Sequence, residues 1–376
     1  MSTLNKAGLE DVVVSTSDIC FIDGREGRLV YRGYDVDDLA AQSTFEEVVY
    51  LLWFGALPTK KEYDAFYKTM SATATRKLPP KLIDLLRGIP KKTTPMEVLR
   101  TGVSALSAFD PDAADNSREA SVRKATRLTA QMPTLVAAWE RIRRGKPLVA
   151  PDPKLNLAGN FLYMMSGKKP TELATKTFDV ALILHADHEF NASTFAARVT
   201  AATMSDMHSA ITSAIGALKG PLHGGANEQV MLMVDKIKDP AKAEAWIRKA
   251  IADKARIMGF GHRVYRVEDP RAKHLRRLAG ELGRQVGDDS KLQILNTVAR
   301  VVTEEKKIYP NVDLFSGAGY AAMGISTDQF TPIFALSRVA GWAAHVLEQH
   351  GNNRLIRPRA EYTGSTRATY VPIAQR

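Results

Sequence analysis

Of the eight histidines in 376 residues, His185, His188, His223 and His262 stand in polar or glycine-rich surroundings. A neutral imidazole can donate a hydrogen bond to a developing oxyanion, and imidazoles grouped with carboxylates can hold a metal. In "GPLHGGANEQV", His223 sits at a helix entrance where glycines let a ligand approach the backbone and free N–H groups face outward. The helix dipole there disfavours protonation of the ring. The plainer reading is a histidine in a surface turn. In "HADHEFN", His185 and His188 share one face if the helix continues, with Asp187 and Glu189 beside them. This is not the H-E-x-x-H pattern and no third ligand has a set spacing, so no metal site is expected. A structural role at the carbonyl end of the helix suits one of the pair.

The stretch "GFGHRVYRVEDPR", Gly259 to Arg271, fails as a dinucleotide fingerprint, because Val264 occupies the third glycine position and a helix precedes it. What remains is a loosened loop presenting His262, Arg263 and Arg266. Asp269 and Pro270 read as N-cap and first helical residue, which puts Arg271 in a first turn, where a cation opposes the helix dipole and calls for either a nearby anion or plain surface exposure. In "YPNVDLFSGAGY", Asp313 lies among apolar neighbours that would desolvate it into a stronger base, with a plain helix cap as the alternative. Arg338, Trp342 and His345 share a helix face too apolar for solvent, so Arg338 requires an anionic partner from the protein or a ligand. Arg354, Arg357 and Arg359 follow in "RLIRPR".

The elements carrying these residues read as helices. From Phe45 onward apolar residues recur at spacings of three and four, with Pro and Gly as punctuation. Helices are expected from Thr171 as cap, from Ser193 to a stop at Gly220-Pro221 as one or two segments, after Gly224-Gly225, from Ala241 through to Gly259, from Ser290 and from Thr331-Pro332. "CFIDGREGRLVYRGYDV" alone reads as sheet, a hairpin turning at Asp23–Gly27. Cys20, the sole cysteine, sits in an apolar strand as a small hydrophobe, and no intrachain disulfide can form. No apolar run is long enough for a membrane span and the first residues show no secretory h-region, so a cytoplasmic protein is expected. The net charge of +11 attracts anions. The basic residues are scattered along helices without interleaved aromatics or a zinc-finger signature, which favours small polyanionic ligands over nucleic acid.

In this order, "HADHEFNAST", "GPLHGGANE", "GFGHRVYRVEDPR", "YPNVDLFSG" and "SRVAGW…RPR" resemble the citrate synthase family in its shorter bacterial and archaeal branch. The resemblance covers essentially the whole chain. It implies an all-α, two-domain fold with a small N-terminal β-hairpin: a large domain of residues 1–220 and 328–376, and a small domain of 221–327 that closes over substrates. It also implies a homodimer or a larger assembly built from it. The implied reaction condenses acetyl-CoA with oxaloacetate and water to citrate and CoA, with no tightly bound cofactor. Asp313 would be the general base, His223 the stabiliser of the thioester enolate and His262 the polariser of the keto group. Arg271, Arg338 and, from the neighbouring subunit, Arg357 would clamp carboxylates with help from His188, and Arg266 would contact coenzyme A. The close alternative is 2-methylcitrate synthase, which uses propionyl-CoA; Arg263, Val312 and Leu314 lean toward acetyl-CoA.

Overall fold

The computed structural model describes residues 7–9 and 12–376. Part of the N-terminal stretch read for a leader therefore lies outside the described residues. A three-stranded antiparallel sheet comes first: β1 (Cys20–Asp23), β2 (Arg28–Tyr31) and β3 (Tyr34–Asp35), with Cys20 paired to Tyr31 and Val30 to Asp35. The β1–β2 turn forms because the Asp23 carboxylate accepts the amides of Arg25 and Glu26 at 2.9 Å and Gly27 takes φ +68°.

Helices follow: α1 (Val36–Gln42), α2 (Phe45–Phe54), α3 (Lys60–Ser71), α4 (Thr73–Arg76), α5 (Pro80–Gly88), α6 (Pro95–Leu106), α7 (Arg118–Arg143), α8 (Leu157–Ser166) and α9 (Glu172–His185). The second half adds α10 (Ala192–Ala201), α11 (Met207–Leu218), α12 (Ala226–Ile237), α13 (Ala243–Ala252), α14 (Pro270–Val286), α15 (Ser290–Lys306), α16 (Val312–Ala322) and α17 (Phe330–Gly351). The start signals work as the residue types predict: Thr171 caps α9, and Asp269 caps α14 with Pro270 at its first position. The stretch expected to be helical from Ser193 to Gly220-Pro221 forms two helices, α10 and α11, which pack on each other.

Helix α17 is apolar on all sides because it runs through the core, touching α2, α7, α9, α10 and α11. Helices α12 to α16 pack chiefly among themselves and meet the rest mainly where α14 crosses α9 and α12 meets α17. No helix among the described residues is long and apolar enough to cross a membrane.

Two close approaches fix the parts that matter for the site. The turn of the hairpin presses on the loop after His262: the Arg266 amide donates to the Gly24 carbonyl at 2.7 Å, and a Cβ on Gly24 would lie 2.2 Å from the Val264 carbonyl oxygen. Helix α17 touches the turn after α9, where the Gly341 amide donates to the Ala186 carbonyl and a Cβ on Gly341 would lie 2.3 Å from Asp187 Oδ1. Both obstacles at Gly341 are buried and held, so Gly341→Ala is expected to destabilise the fold by about 1–3 kcal/mol or more. A urea-unfolding midpoint equal to that of the parent protein would refute this.

Two expected helices are shorter than the sequence suggests. Helix α13 ends at Ala252 rather than Gly259, with Lys254 in the left-handed region at φ 55°. Helix α9 ends at His185, so His185 and His188 do not share a helical face. The chain turns through Ala186 and Asp187, with Glu189 at φ 54°.

Candidate active site

A cleft of about 1090 Å³ opens between the ends of α9, α10, α12, α14, α16 and the middle of α17. His188, His223, His262, Arg266, Arg271, Asp313 and Arg338, brought from positions spread over 150 residues of sequence, all line it. Arg357 does not: it lies exposed in the extended segment after α17.

Asp313 is the second residue of α16. The cap of that helix is Asn311, whose side chain accepts the Asp313 amide at 3.1 Å, so Asp313 is not the cap. Freed from capping, its Oδ1 is buried without a hydrogen-bond partner. Burial raises the carboxyl from its ordinary 3.8 to about 7, against the pull of Arg271 and Arg338. A carboxylate with that affinity for protons is a competent base near neutral pH.

Both imidazoles at the site are neutral, and their tautomers follow from their neighbours. At His262, Nδ1 accepts the amides of Val264 at 2.9 Å and Tyr265 at 3.1 Å, so the ring proton sits on Nε2. At His223, the Ser193 amide donates to Nε2 at 3.3 Å and the Ser193 hydroxyl stands 2.8 Å away, which leaves the proton on Nδ1. Burial lowers both rings to about 4, helped by Arg338 at His223 and by Arg271 at His262. His188 lies under His262, ring centroids 5.0 Å apart, with its Nε2 3.3 Å from the Tyr265 hydroxyl. Burial first, then Arg271, holds it well below its usual value.

The two buried arginines differ. The anion expected near Arg271 is Asp269, two residues away, which receives Nε at 2.9 Å and Nη2 at 2.7 Å. Burial opposes that charge, but the Asp269 carboxylate outweighs it and holds the guanidinium protonated. Arg338, only 1% exposed, has no carboxylate in contact among the described residues. Its Nε donates to the His185 carbonyl at 2.7 Å and its guanidinium lies 4.7 Å over the Phe334 ring. Burial lowers it to about 10, with Asp187 acting to keep the charge. A buried cation so sparsely compensated would be stabilised by any anion that enters the cleft.

Ser193 and Arg198 were not singled out as site residues in the sequence, and Asp269 and Asp187 were named there only as a helix cap and as a neighbour of the histidine pair. Ser193 orients His223 and also accepts the Trp342 indole N–H at 3.1 Å. Asp269 ties Arg271, the cap of α14 and the Val312 amide together. Asp187, fully buried, takes His345 Nε2 at 3.3 Å, and Arg198 donates to His345 Nδ1 at 3.0 Å, a chain that stiffens the turn carrying His188.

A base raised toward neutrality, two neutral imidazole donors aimed by backbone amides, and guanidiniums for carboxylates define an enzyme that takes a proton from carbon and attaches the resulting carbanion to an anionic acceptor. The chain belongs to the citrate synthase family: the family described as "Citrate synthase, C-terminal domain" matches residues 8–359. It is 49% identical to the citrate synthase of Haloferax volcanii, with all of both chains covered. It is 45% identical to the 2-methylcitrate synthase of Mycobacterium tuberculosis, covering 96% of this chain and 90% of that one. Among solved structures, it matches the citrate synthase of Thermoplasma acidophilum, in ternary complex with carboxymethyl coenzyme A and oxaloacetate, at TM-score 0.91 and 38% identity, with 98% of each chain covered. The two-domain helical fold with its N-terminal hairpin is that of these relatives.

Proposed function

We propose that the protein is a citrate synthase, condensing acetyl-CoA with oxaloacetate and water to give citrate and CoA. The observation that carries this reading is the convergence of Asp313, His223 and His262 on one cleft beside Arg338, which has no carboxylate in contact among the described residues. The Asp313 carboxylate takes a proton from the thioester methyl group. Nδ1–H of His223 donates to the thioester oxygen, where the enolate charge gathers. The nucleophilic carbon attacks the keto carbon of oxaloacetate, while Nε2–H of His262 donates to the keto oxygen that becomes the hydroxyl. Water then cleaves the citryl thioester, releasing CoA and making the sequence irreversible.

Arg271, Arg338 and His188 bind the oxaloacetate carboxylates, and Arg266, exposed at the rim of the cleft, meets the anionic coenzyme. Arg357 completes the clamp from the second subunit of a homodimer, which agrees with its place on an exposed segment away from its own cleft. Residues 221–327 form the small domain and close against 1–220 and 328–376, a division supported by the way α12 to α16 pack on one another. Closure removes water from the thioester and strengthens every charge interaction inside. The lone cysteine, Cys20, fits a reducing cytoplasm.

Choice of acyl group is tested by following CoA release with acetyl-CoA and propionyl-CoA at saturating oxaloacetate. A higher kcat/KM for acetyl-CoA is expected. A preference for propionyl-CoA overturns the assignment in favour of 2-methylcitrate synthesis, the activity named for the Mycobacterium relative.

A further inference from the structure

A second cavity, of about 700 Å³, lies between the C-terminal ends of α7 and α8 on one side and of α14 and α16 on the other. It shares no lining residue with the catalytic cleft. Its size is that of a small-molecule site.

Arg141 is buried in its wall, 7% exposed. Its Nε donates to the Pro147 carbonyl and its Nη1 to that of Met165 at 3.1 Å. No salt bridge forms on it among the described residues. The one acid in the lining, Glu140, is already taken by Arg143, Arg144 and the Gln329 amide. Lys146 and Lys168 stand at the exposed rim, also without a carboxylate in contact among the described residues. The lining also has an apolar part, with Leu162 on the α8 side and Leu282 and Ile325 on the side of α14 and α16.

A buried guanidinium without a counter-charge marks the carboxylate-binding wall of the catalytic cleft, at Arg338, and the same signature recurs here. We infer that this cavity is a second ligand site, for a small organic anion whose carboxylate or phosphate meets Arg141 and the rim lysines and whose apolar body lies against Leu162, Leu282 and Ile325. Charge alone does not describe it, since the apolar part of the lining offers a fully hydrated anion no contacts. The site does not depend on which acyl group the cleft accepts.

Titration calorimetry on the full chain tests this with octyl phosphate as probe, the catalytic cleft being filled by saturating oxaloacetate and CoA. Saturable one-to-one binding is expected, with inorganic phosphate at least tenfold weaker. The double variant Lys146→Glu, Lys168→Glu should weaken octyl phosphate at least tenfold; both side chains are exposed, so folding is not at stake. Absence of saturable binding overturns the inference, as does equal binding of inorganic phosphate or an affinity indifferent to the two charge reversals. Binding seen only when oxaloacetate and CoA are left out would place the probe in the cleft and overturn it as well.

Discussion

Asp313→Asn is expected to lower kcat by about 10²–10⁴-fold, the usual contribution of a positioned general base. KM for oxaloacetate should change little, because in the proposed mechanism Asp313 acts on the thioester methyl group and not on the oxaloacetate carboxylates. The pH dependence carries the same signature. Asp313 is the cleft group that changes charge near pH 7, while His223 and His262 are already neutral above about pH 5. Activity of the parent should therefore rise as pH passes through about 7, and the residual activity of the variant should lose that rise. Stability moves the other way. A carboxyl at about 7 in the folded chain and 3.8 in the unfolded one contributes stability fully present below pH 3.8 and lost as pH rises through about 7. Asn has no charge to desolvate. The variant should melt above the parent at pH 8, with the gap closing towards pH 4. Undiminished turnover in the variant would remove Asp313 from the role of base.

Arg338→Gln is expected to cut kcat/KM for oxaloacetate by roughly 10²–10³-fold, in line with about 2–5 kcal/mol for truncating one partner of a buried charge pair. The effect should be large because Arg338 has no carboxylate in contact among the described residues, which leaves its charge for the ligand. In the parent, oxaloacetate should raise the melting temperature through linkage to the folded state, and in the variant that rise should largely vanish at the same ligand concentration. A variant that keeps both the thermal shift and the KM of the parent would show that the oxaloacetate carboxylates are held elsewhere.

The loop ends of the site were legible in the sequence, and the partners that aim its side chains were not. Glycine, proline and Asp-Pro mark the entrances of α12, α14 and α17 locally, so the segments with His223, His262 and Arg271 could be found one at a time. Ser193, which sets the tautomer of His223, comes from α10, and Tyr265 reaches His188 across 77 residues. Such pairings depend on how helices cross, which no local spacing encodes. The two helix overruns were no more legible locally. Residues 253–258, Asp-Lys-Ala-Arg-Ile-Met, contain no breaker, yet Lys254 adopts the left-handed region. The "HADH" turn leaves its helix where the Tyr31 hydroxyl donates to the Asp187 carbonyl at 3.0 Å and Arg338 donates to the His185 carbonyl. Asp313 could be read as a base or as a cap until Asn311 was seen to do the capping.

The segments bearing His262 and Asp313 are sewn to each other by the backbone. Gly261 N–H donates to the Tyr309 carbonyl at 2.9 Å, Asn311 N–H to that of Gly259 at 3.0 Å and Asp269 N–H to that of Pro310 at 3.2 Å, around a single bridge between Phe260 and Pro310. In deuterated solvent these three amides should exchange with one common opening free energy, as a cooperative unit of the native ensemble. Proton donor and proton acceptor then keep their mutual spacing through any fluctuation that leaves this unit shut, and are lost together when it opens.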